Sequence, residues 1–160
     1  MTRPLAGALL VALWLGAALL TVTVVAPGAF AVLPTRAMAG EMVGRVLPVV
    51  FGGAIVVPAL VFWLVPPVRR SLPALAASAL AVLSSVVALA VVNPRIAAVR
   101  VVAVVPIDQL SPGDPRRALF GLLHFISVAL LGAAMLALGG LLVTLARTTV
   151  FRIRTSGEAR

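Results

Sequence analysis

The chain has no cysteine, lysine or tyrosine among its 160 residues, and His124 is its single histidine. Without cysteine there is no disulfide, no thiolate metal site and no cysteine nucleophile. Without lysine there is no Schiff-base chemistry, and one histidine excludes a histidine-cluster metal site. The chain also has only four acidic residues. None of them lies inside a long apolar run, so an intramembrane carboxylate relay has no candidate.

Charge is scarce and apolar residues are abundant. Charged residues make up 11% of the chain and hydrophobic residues 62%, whereas soluble domains have about 25% and about 45–50%. Too little polar surface exists to cover a soluble globule, so most of the exterior must face lipid. The net charge of +9 comes from arginines that stand singly or in pairs, which favours contacts with lipid headgroups over binding to nucleic acid.

Four apolar runs are long enough to cross a bilayer, for which a helix needs about 20 residues. They cover approximately residues 5–26, 46–65, 72–92 and 118–146. The sequence therefore predicts one domain over residues 1–160, an all-α integral membrane bundle of four transmembrane helices.

The connections contain helix stop and start signals. Pro34-Thr35 favours an earlier, interfacial start for the second helix, and Pro66-Pro67 ends it. Either Ser111 or Asp114 is a candidate N-cap for the fourth helix, each with proline at the first helical position. A shorter apolar piece, residues 96–107, either extends the third helix beyond the bilayer or lies at the interface.

Small residues recur at a spacing of three or four in three of the runs, which places each set on one helix face. Such faces let helices approach closely in lipid. The pattern favours packing within the bundle, or a homo-oligomer formed through these faces, over a ligand groove. The three sets are Ala8, Ala12 and Gly16; Ala77, Ala81, Ser84 and Ala88; and Ala129, Ala133 and Ala137.

Four spans place both termini on one side of the membrane, and the arginine count barely separates the two sides. The short loop at residues 66–71 carries Arg69 and Arg70, which favours a cytoplasmic position for that loop and for both termini. The side with the termini collects Arg3, Arg69, Arg70, Arg147, Arg152, Arg154 and Arg160. The other side collects Arg36, Arg45, Arg95, Arg100, Arg116 and Arg117.

A candidate polar cluster lies on the side opposite the termini. Glu41 and Arg45 are spaced to pair on one helix face, Arg95 closes the third run, and His124 lies near the edge of the hydrocarbon, followed by Ser127. Intramembrane ionisable groups are functional candidates by default. The cluster Glu41, Arg45, Arg95, His124 and Ser127 is therefore the predicted site, and it contains no readable nucleophile–base pair.

Two interpretations of His124 stay open. In one, His124 is an axial ligand for haem or copper, and arginines such as Arg95 hold propionates or another anion. In the other, which the single histidine favours, His124 bonds to a helix carbonyl or to Ser127 and the arginines are anchored among headgroups.

A series of short motifs lies between Trp14 and Leu136: Ala26-Pro27 to Phe30, Leu33-Pro34, Ala39-Gly40, Gly44-Arg45, Pro48, Asn93-Pro94-Arg95-Ile96, and Phe120 with His124 and Ser127. In their order and spacing these motifs resemble the bacterial DUF4149-like family of unknown function, which is related to eukaryotic transmembrane protein 205. The resemblance implies four spans and residence in the bacterial inner membrane, and no activity. An apolar residue near Leu131 replaces an asparagine of that pattern. A distant similarity of the family to copper-resistance and haem-associated membrane proteins adds weight to His124.

The sequence therefore predicts a multi-pass inner-membrane protein without enzymatic activity or resident cofactor, which acts by interaction or by handling a small solute or metal. The alternative is a haem- or copper-binding membrane redox protein that uses His124. A transporter would require oligomerisation, because four helices leave a narrow path.

Overall fold

The computed structural model describes residues 3–103 and 105–157, with side chains up to residue 148. Over these residues the chain forms four long helices and no strand: Arg3–Val32, Arg36–Leu64, Leu72–Val102 and Pro115–Gly157. All four are long and apolar enough to span a bilayer. The predicted all-α bundle of four membrane helices is confirmed, and every helix extends beyond the apolar run that predicted it.

The helices alternate in direction around a ring. The first and third helices each pack against both the second and the fourth. The end at which the first helix begins contains the tight turn Pro66–Arg70, and we call it the turn end. The opposite end contains the start of the second helix, the last turns of the third and residues 105–117, and we call it the polar end.

Two of the helices widen just before a proline. Thr21–Val25 in the first helix and Ala88–Val92 in the third have π geometry, and Pro27 and Pro94 follow two residues later. Proline lacks an N–H and clashes with the carbonyl four residues before it. A π-bulge makes room for the ring because it adds about one residue to the turn. The third helix therefore continues past the apolar run as far as Val102. This extension is one of the two arrangements predicted for the shorter apolar piece, residues 96–107.

A packed half of the bundle surrounds Trp14, Phe51 and Leu138, all of which are buried. Trp14 Nε1 donates a hydrogen bond to the carbonyl oxygen of Val50 at 2.9 Å. This bond requires Gly53, because a Cβ atom there would lie 2.6 Å from Trp14 Cδ1. The first and second helices are thus held together by one polar contact inside a close-packed interface.

The turn end is closed by apolar contacts. Val65 precedes the Pro66–Arg70 turn and Val68 lies within it, and both are buried. Arg69 Nε donates to the carbonyl oxygen of Phe62 at 2.7 Å, which satisfies one of the acceptors left free where the second helix ends. The turn needs few residues because proline fixes the backbone where the helix stops.

Both predicted helix starts at the polar end use a side-chain cap. The second helix begins at Arg36, where the Thr35 hydroxyl accepts from the backbone N–H of Met38 at 3.2 Å. The fourth begins at Pro115, and of the two predicted caps Asp114 is the one used, because its Oδ1 accepts from the N–H of Arg116 at 2.8 Å. The second helix is continuous from Arg36, so its interfacial start and its membrane span are one element.

Candidate functional site

Glu41 and Arg45 form the predicted ion pair on the second helix. Arg45 Nη2 donates to Glu41 Oε1 at 2.6 Å, and both side chains are largely exposed, at 79% for Arg45 and 62% for Glu41. An exposed pair of this kind contributes little to stability, about 0.3–0.5 kcal/mol. The pair marks the outer rim of the polar end.

His124 and Arg95 lie apart from that pair. His124 is exposed, and its ring stacks on Phe120 with the ring centroids 6.3 Å apart and the planes 6° from parallel. Arg95 is also exposed. No hydrogen bond, ion pair or ring contact joins the Glu41–Arg45 pair to His124 or Arg95 within the part of the chain that the structure describes.

Ser127 lies in a different environment from His124. It is buried, at 2% exposure, three residues further along the fourth helix. No hydrogen bond connects Ser127 to His124 among the described residues. The two residues therefore do not form a nucleophile–base pair in this conformation, for which a separation of about 2.6–3.2 Å is needed.

Arg100 occupies the inward position of the polar end. Its half-buried side chain leaves the third helix and reaches the second, where Nη2 donates to the carbonyl oxygen of Gly40 at 3.3 Å. Its Cζ atom lies 5.4 Å from the centre of the Phe120 ring on the fourth helix, within the range of a cation–π contact. One guanidinium thus bridges three helices, in a space that we call the Arg100 cleft, formed by Gly40, Gly44, Arg100 and Phe120.

Two glycines of the second helix border this guanidinium. A Cβ atom at Gly40 would lie 3.0 Å from Arg100 Nη2, and one at Gly44 would lie 3.5 Å from Nη1. Gly40 and Gly44 are four residues apart and share a helix face. A side chain at Gly40 would therefore crowd Arg100, whereas a Cβ atom at Gly44 would make an ordinary van der Waals contact with it.

No acidic side chain pairs with Arg100 within the part of the chain that the structure describes. The two ion pairs among the described residues are Glu41–Arg45 and Asp114–Arg116, so neither joins a carboxylate to Arg100. Arginine has five N–H donors, and one of those on Arg100 makes a hydrogen bond within the described residues. Phe120 links the cleft to His124, because its ring contacts both side chains.

The connection beside the cleft is ordered by Asp114 and Arg117. Arg116 donates to both carboxylate oxygens of Asp114, and Arg117 Nη1 donates to the carbonyl oxygen of Leu110 at 2.9 Å. The hydrogen bonds from Arg116 lower the pKa of Asp114 to about 2. Asp114 is thus committed to Arg116 and to the start of the fourth helix.

Sequence reasoning missed Arg100, the two glycines and Phe120 as a site. The available signals were an arginine interrupting the apolar piece 96–107 and the glycine pair Gly40 and Gly44 at helical spacing. No group of three or more metal-ligating side chains occurs among the described residues. A shallow pocket of about 370 Å³ at the turn end is lined by Pro4, Val68, Arg147 and other residues.

The fold and the polar end define a multi-pass membrane protein built as a four-helix bundle. A comparison with protein families matches residues 9–104 to the domain of unknown function DUF4149, and the chain belongs to that family. The match includes Gly40, Gly44 and Arg100 and ends before Phe120 and His124. No curated protein and no solved structure matches the chain.

Proposed function

We propose that this chain is a non-enzymatic membrane protein that acts by binding an anionic group at the Arg100 cleft. The observation that carries the proposal is a half-buried guanidinium bridging three helices without a carboxylate partner among the described residues. A buried or half-buried cation is stabilised by an opposite charge. An anionic ligand supplies that charge, whether it belongs to a small solute or to a larger partner.

Binding at the surface fits the packing better than passage through one chain. Phe51, Leu138 and Leu141 are fully buried in the middle of the bundle. The shallow pocket at the turn end and a second depression beside Leu9 and Leu13 both open outwards. Transport would therefore require a path between several copies of the chain.

A homo-oligomer is the second part of this proposal. In the third helix the small residues Ala81, Ser84 and Ala88 are buried within the bundle, whereas Ala12 and Gly16 of the first helix are exposed. The exposed small-residue face is available for close approach by a second copy. Crosslinking through cysteines introduced at position 12 tests this, and finding monomers alone would contradict it.

The cellular setting is proposed from the sequence. We infer residence in a bacterial inner membrane with both termini cytoplasmic, and a relationship to eukaryotic transmembrane protein 205. The support is the resemblance in motif order and the short arginine-containing turn Pro66–Arg70. Reporter fusions at each end of the bundle would contradict the topology if the turn end reported an external location.

The second candidate is a haem- or copper-binding redox protein that uses His124, with Arg95 holding an anionic group of the cofactor. The observation in its favour is that His124 is exposed and makes no hydrogen bond within the described residues. An imidazole nitrogen is therefore accessible as a metal ligand. A haem absorption band or bound copper that His124→Ala abolishes would support this candidate, and colourless, copper-free protein would contradict it.

The experiment for the leading proposal compares two variants with the same change in charge. Arg100→Gln removes the cleft guanidinium, and Arg70→Gln removes an exposed arginine at the turn end. Thermal unfolding is followed in detergent during titration with inorganic phosphate at constant ionic strength. Wild type and Arg70→Gln should be stabilised as phosphate saturates the cleft, because a ligand that binds only the folded state raises Tm. An identical phosphate response in Arg100→Gln would refute the proposal.

A further inference from the structure

The position of the Arg100 cleft along the helices indicates the level of the bilayer at which the cleft lies. The third helix from Leu72 to Arg100 is about 42 Å long at about 1.5 Å per residue. The second helix from Leu64 back to Gly40 is about 36 Å long by the same rise. A bilayer has a hydrocarbon core of about 30 Å and measures about 40–45 Å with its headgroups. Leu64, where the second helix ends, and Leu72, where the third begins, both lie beside the turn end, so Arg100 and Gly40 lie at the headgroup level of the opposite leaflet.

The guanidinium is held in place but incompletely bonded. Its Cζ atom lies 5.4 Å from the centre of the Phe120 ring, and Nη2 donates to the Gly40 carbonyl oxygen over a long 3.3 Å. The remaining N–H groups have no acceptor among the described residues. Arginine presents its donors as a planar fork that matches two oxygens of a phosphate group.

The surroundings of the cleft favour a negatively charged ligand. Six of the arginines belong to the polar end, against three acids. Two of those acids, Glu41 and Asp114, are already paired with Arg45 and Arg116. The excess of positive charge at this level attracts anionic lipid headgroups.

We propose that the Arg100 cleft binds the phosphate group of an anionic phospholipid in the leaflet at the polar end. This inference rests on the proposed anion-binding function and names its ligand. The phosphate accepts from the free N–H groups of Arg100. The Gly40 carbonyl oxygen and the Phe120 ring keep the guanidinium in its place between the helices, and the lipid chains lie along the exposed apolar faces that surround the cleft.

The test measures bound lipid on the intact chain in a mild detergent. Phosphatidylglycerol, phosphatidylcholine or inorganic phosphate is added, and lipid occupancy is measured by native mass spectrometry beside Tm. Wild type should retain phosphatidylglycerol preferentially. Arg100→Gln should bind phosphatidylglycerol about tenfold more weakly than wild type, or more weakly still, because a charge-assisted hydrogen bond is lost. Arg70→Gln, which has the same net charge as Arg100→Gln, should bind phosphatidylglycerol as wild type does.

A further variant separates the contact from the fold. Arg100→Lys keeps the charge but loses the planar fork, so it should fold and bind phosphatidylglycerol more weakly than wild type and more tightly than Arg100→Gln. Equal occupancy in wild type, Arg100→Lys and Arg100→Gln would overturn the inference, because lipid would then bind elsewhere. If Arg100→Gln fails to fold, a wild-type affinity in Arg100→Lys overturns it.

Inorganic phosphate distinguishes the proposed anion-binding function from the narrower inference that the anion is a phospholipid. An Arg100-dependent response to inorganic phosphate without Arg100-dependent phosphatidylglycerol binding would contradict the lipid and leave the anion-binding function standing. A response to neither ligand would refute both. Equal binding of phosphatidylcholine and phosphatidylglycerol would contradict the preference for an anionic lipid.

Discussion

The packed half of the bundle and its polar end are built on opposite principles. In the packed half, Val11, Phe51 and Leu138 are completely buried, and a tryptophan ring lies directly against a glycine. At the polar end the third helix contributes no buried residue between Asn93 and Val102, and one arginine fills the space between three helices. Lipid supplies no hydrophobic drive for helix association. Close apolar fit therefore holds the bundle together in one region, while in the other most donors of Arg100 have no acceptor among the described residues.

Replacing one phenylalanine in each region, the buried Phe51 and the half-buried Phe120, should give the largest difference between them. We expect Phe51→Ala to lower the free energy of unfolding by about 3 kcal/mol, at the low end of the range for core phenylalanines, because lipid already solvates apolar groups. Phe120→Ala should cost less than about 1 kcal/mol, the scale of an exposed cation–π contact. Unfolding in mixed micelles measures both. Equal losses would show that the polar end is packed as tightly as the middle.

The glycine beneath Trp14 should be nearly as sensitive. Gly53→Ala places a Cβ atom 2.6 Å from the indole ring, and we expect a loss of about 1–3 kcal/mol from overpacking. Gly52→Ala is the matched control, because a Cβ atom there meets nothing within 4 Å. The control should be neutral or slightly stabilising, since alanine favours the helix. A stable Gly53→Ala variant would contradict the close Trp14 contact.

The cap of the fourth helix should make a smaller, pH-dependent contribution at the polar end. The folded-state pKa of Asp114 is about 2, below its ordinary value of 3.8. Its stabilising effect is therefore present above pH 3.8 and is lost as the pH falls towards 2. We expect Asp114→Ala to lower Tm by a few degrees at neutral pH, with the difference from wild type shrinking across that interval. A difference that stays constant down to pH 2 would mean that the carboxylate charge contributes nothing.

Filling the space beside Arg100 should leave stability almost unchanged. Gly40→Ala places a Cβ atom 3.0 Å from Arg100 Nη2, but the end of an arginine side chain moves easily, so we expect a change in stability within about 0.5 kcal/mol. The response to phosphate should nevertheless fall, because the guanidinium is displaced. Gly28→Ala, whose Cβ meets nothing within 4 Å, should change neither the stability nor the response to phosphate. A large loss of stability in Gly40→Ala would show that Arg100 is a structural clamp.

The sequence predicted what depends on short-range rules. Four apolar runs of sufficient length predicted the four helices, the spacing of Glu41 and Arg45 predicted their ion pair, and Asp114 before proline predicted a cap. Each of these rests on residues within one or two helical turns.

The Arg100 cleft was not predictable in the same way because it depends on three helices at once. Arg95 was included in the predicted cluster because it closes the apolar run, yet it is exposed, whereas Arg100 reaches Gly40. The contact pairs residues sixty positions apart. Hydropathy gives the length of a helix but not which face meets a distant neighbour.

The π segment at Ala88–Val92 changes the angular position, about the helix axis, of the residues beyond it. The buried stripe of the third helix includes Ala74, Ala81 and Ser85. At about 100° per residue, a straight helix would place Arg100 about 80° from the centre of that stripe. One extra residue in the bulge reduces the offset to about 20°. A single deletion between positions 88 and 92 would therefore swing the guanidinium out of register with Gly40 while leaving every side chain of the cleft in the sequence.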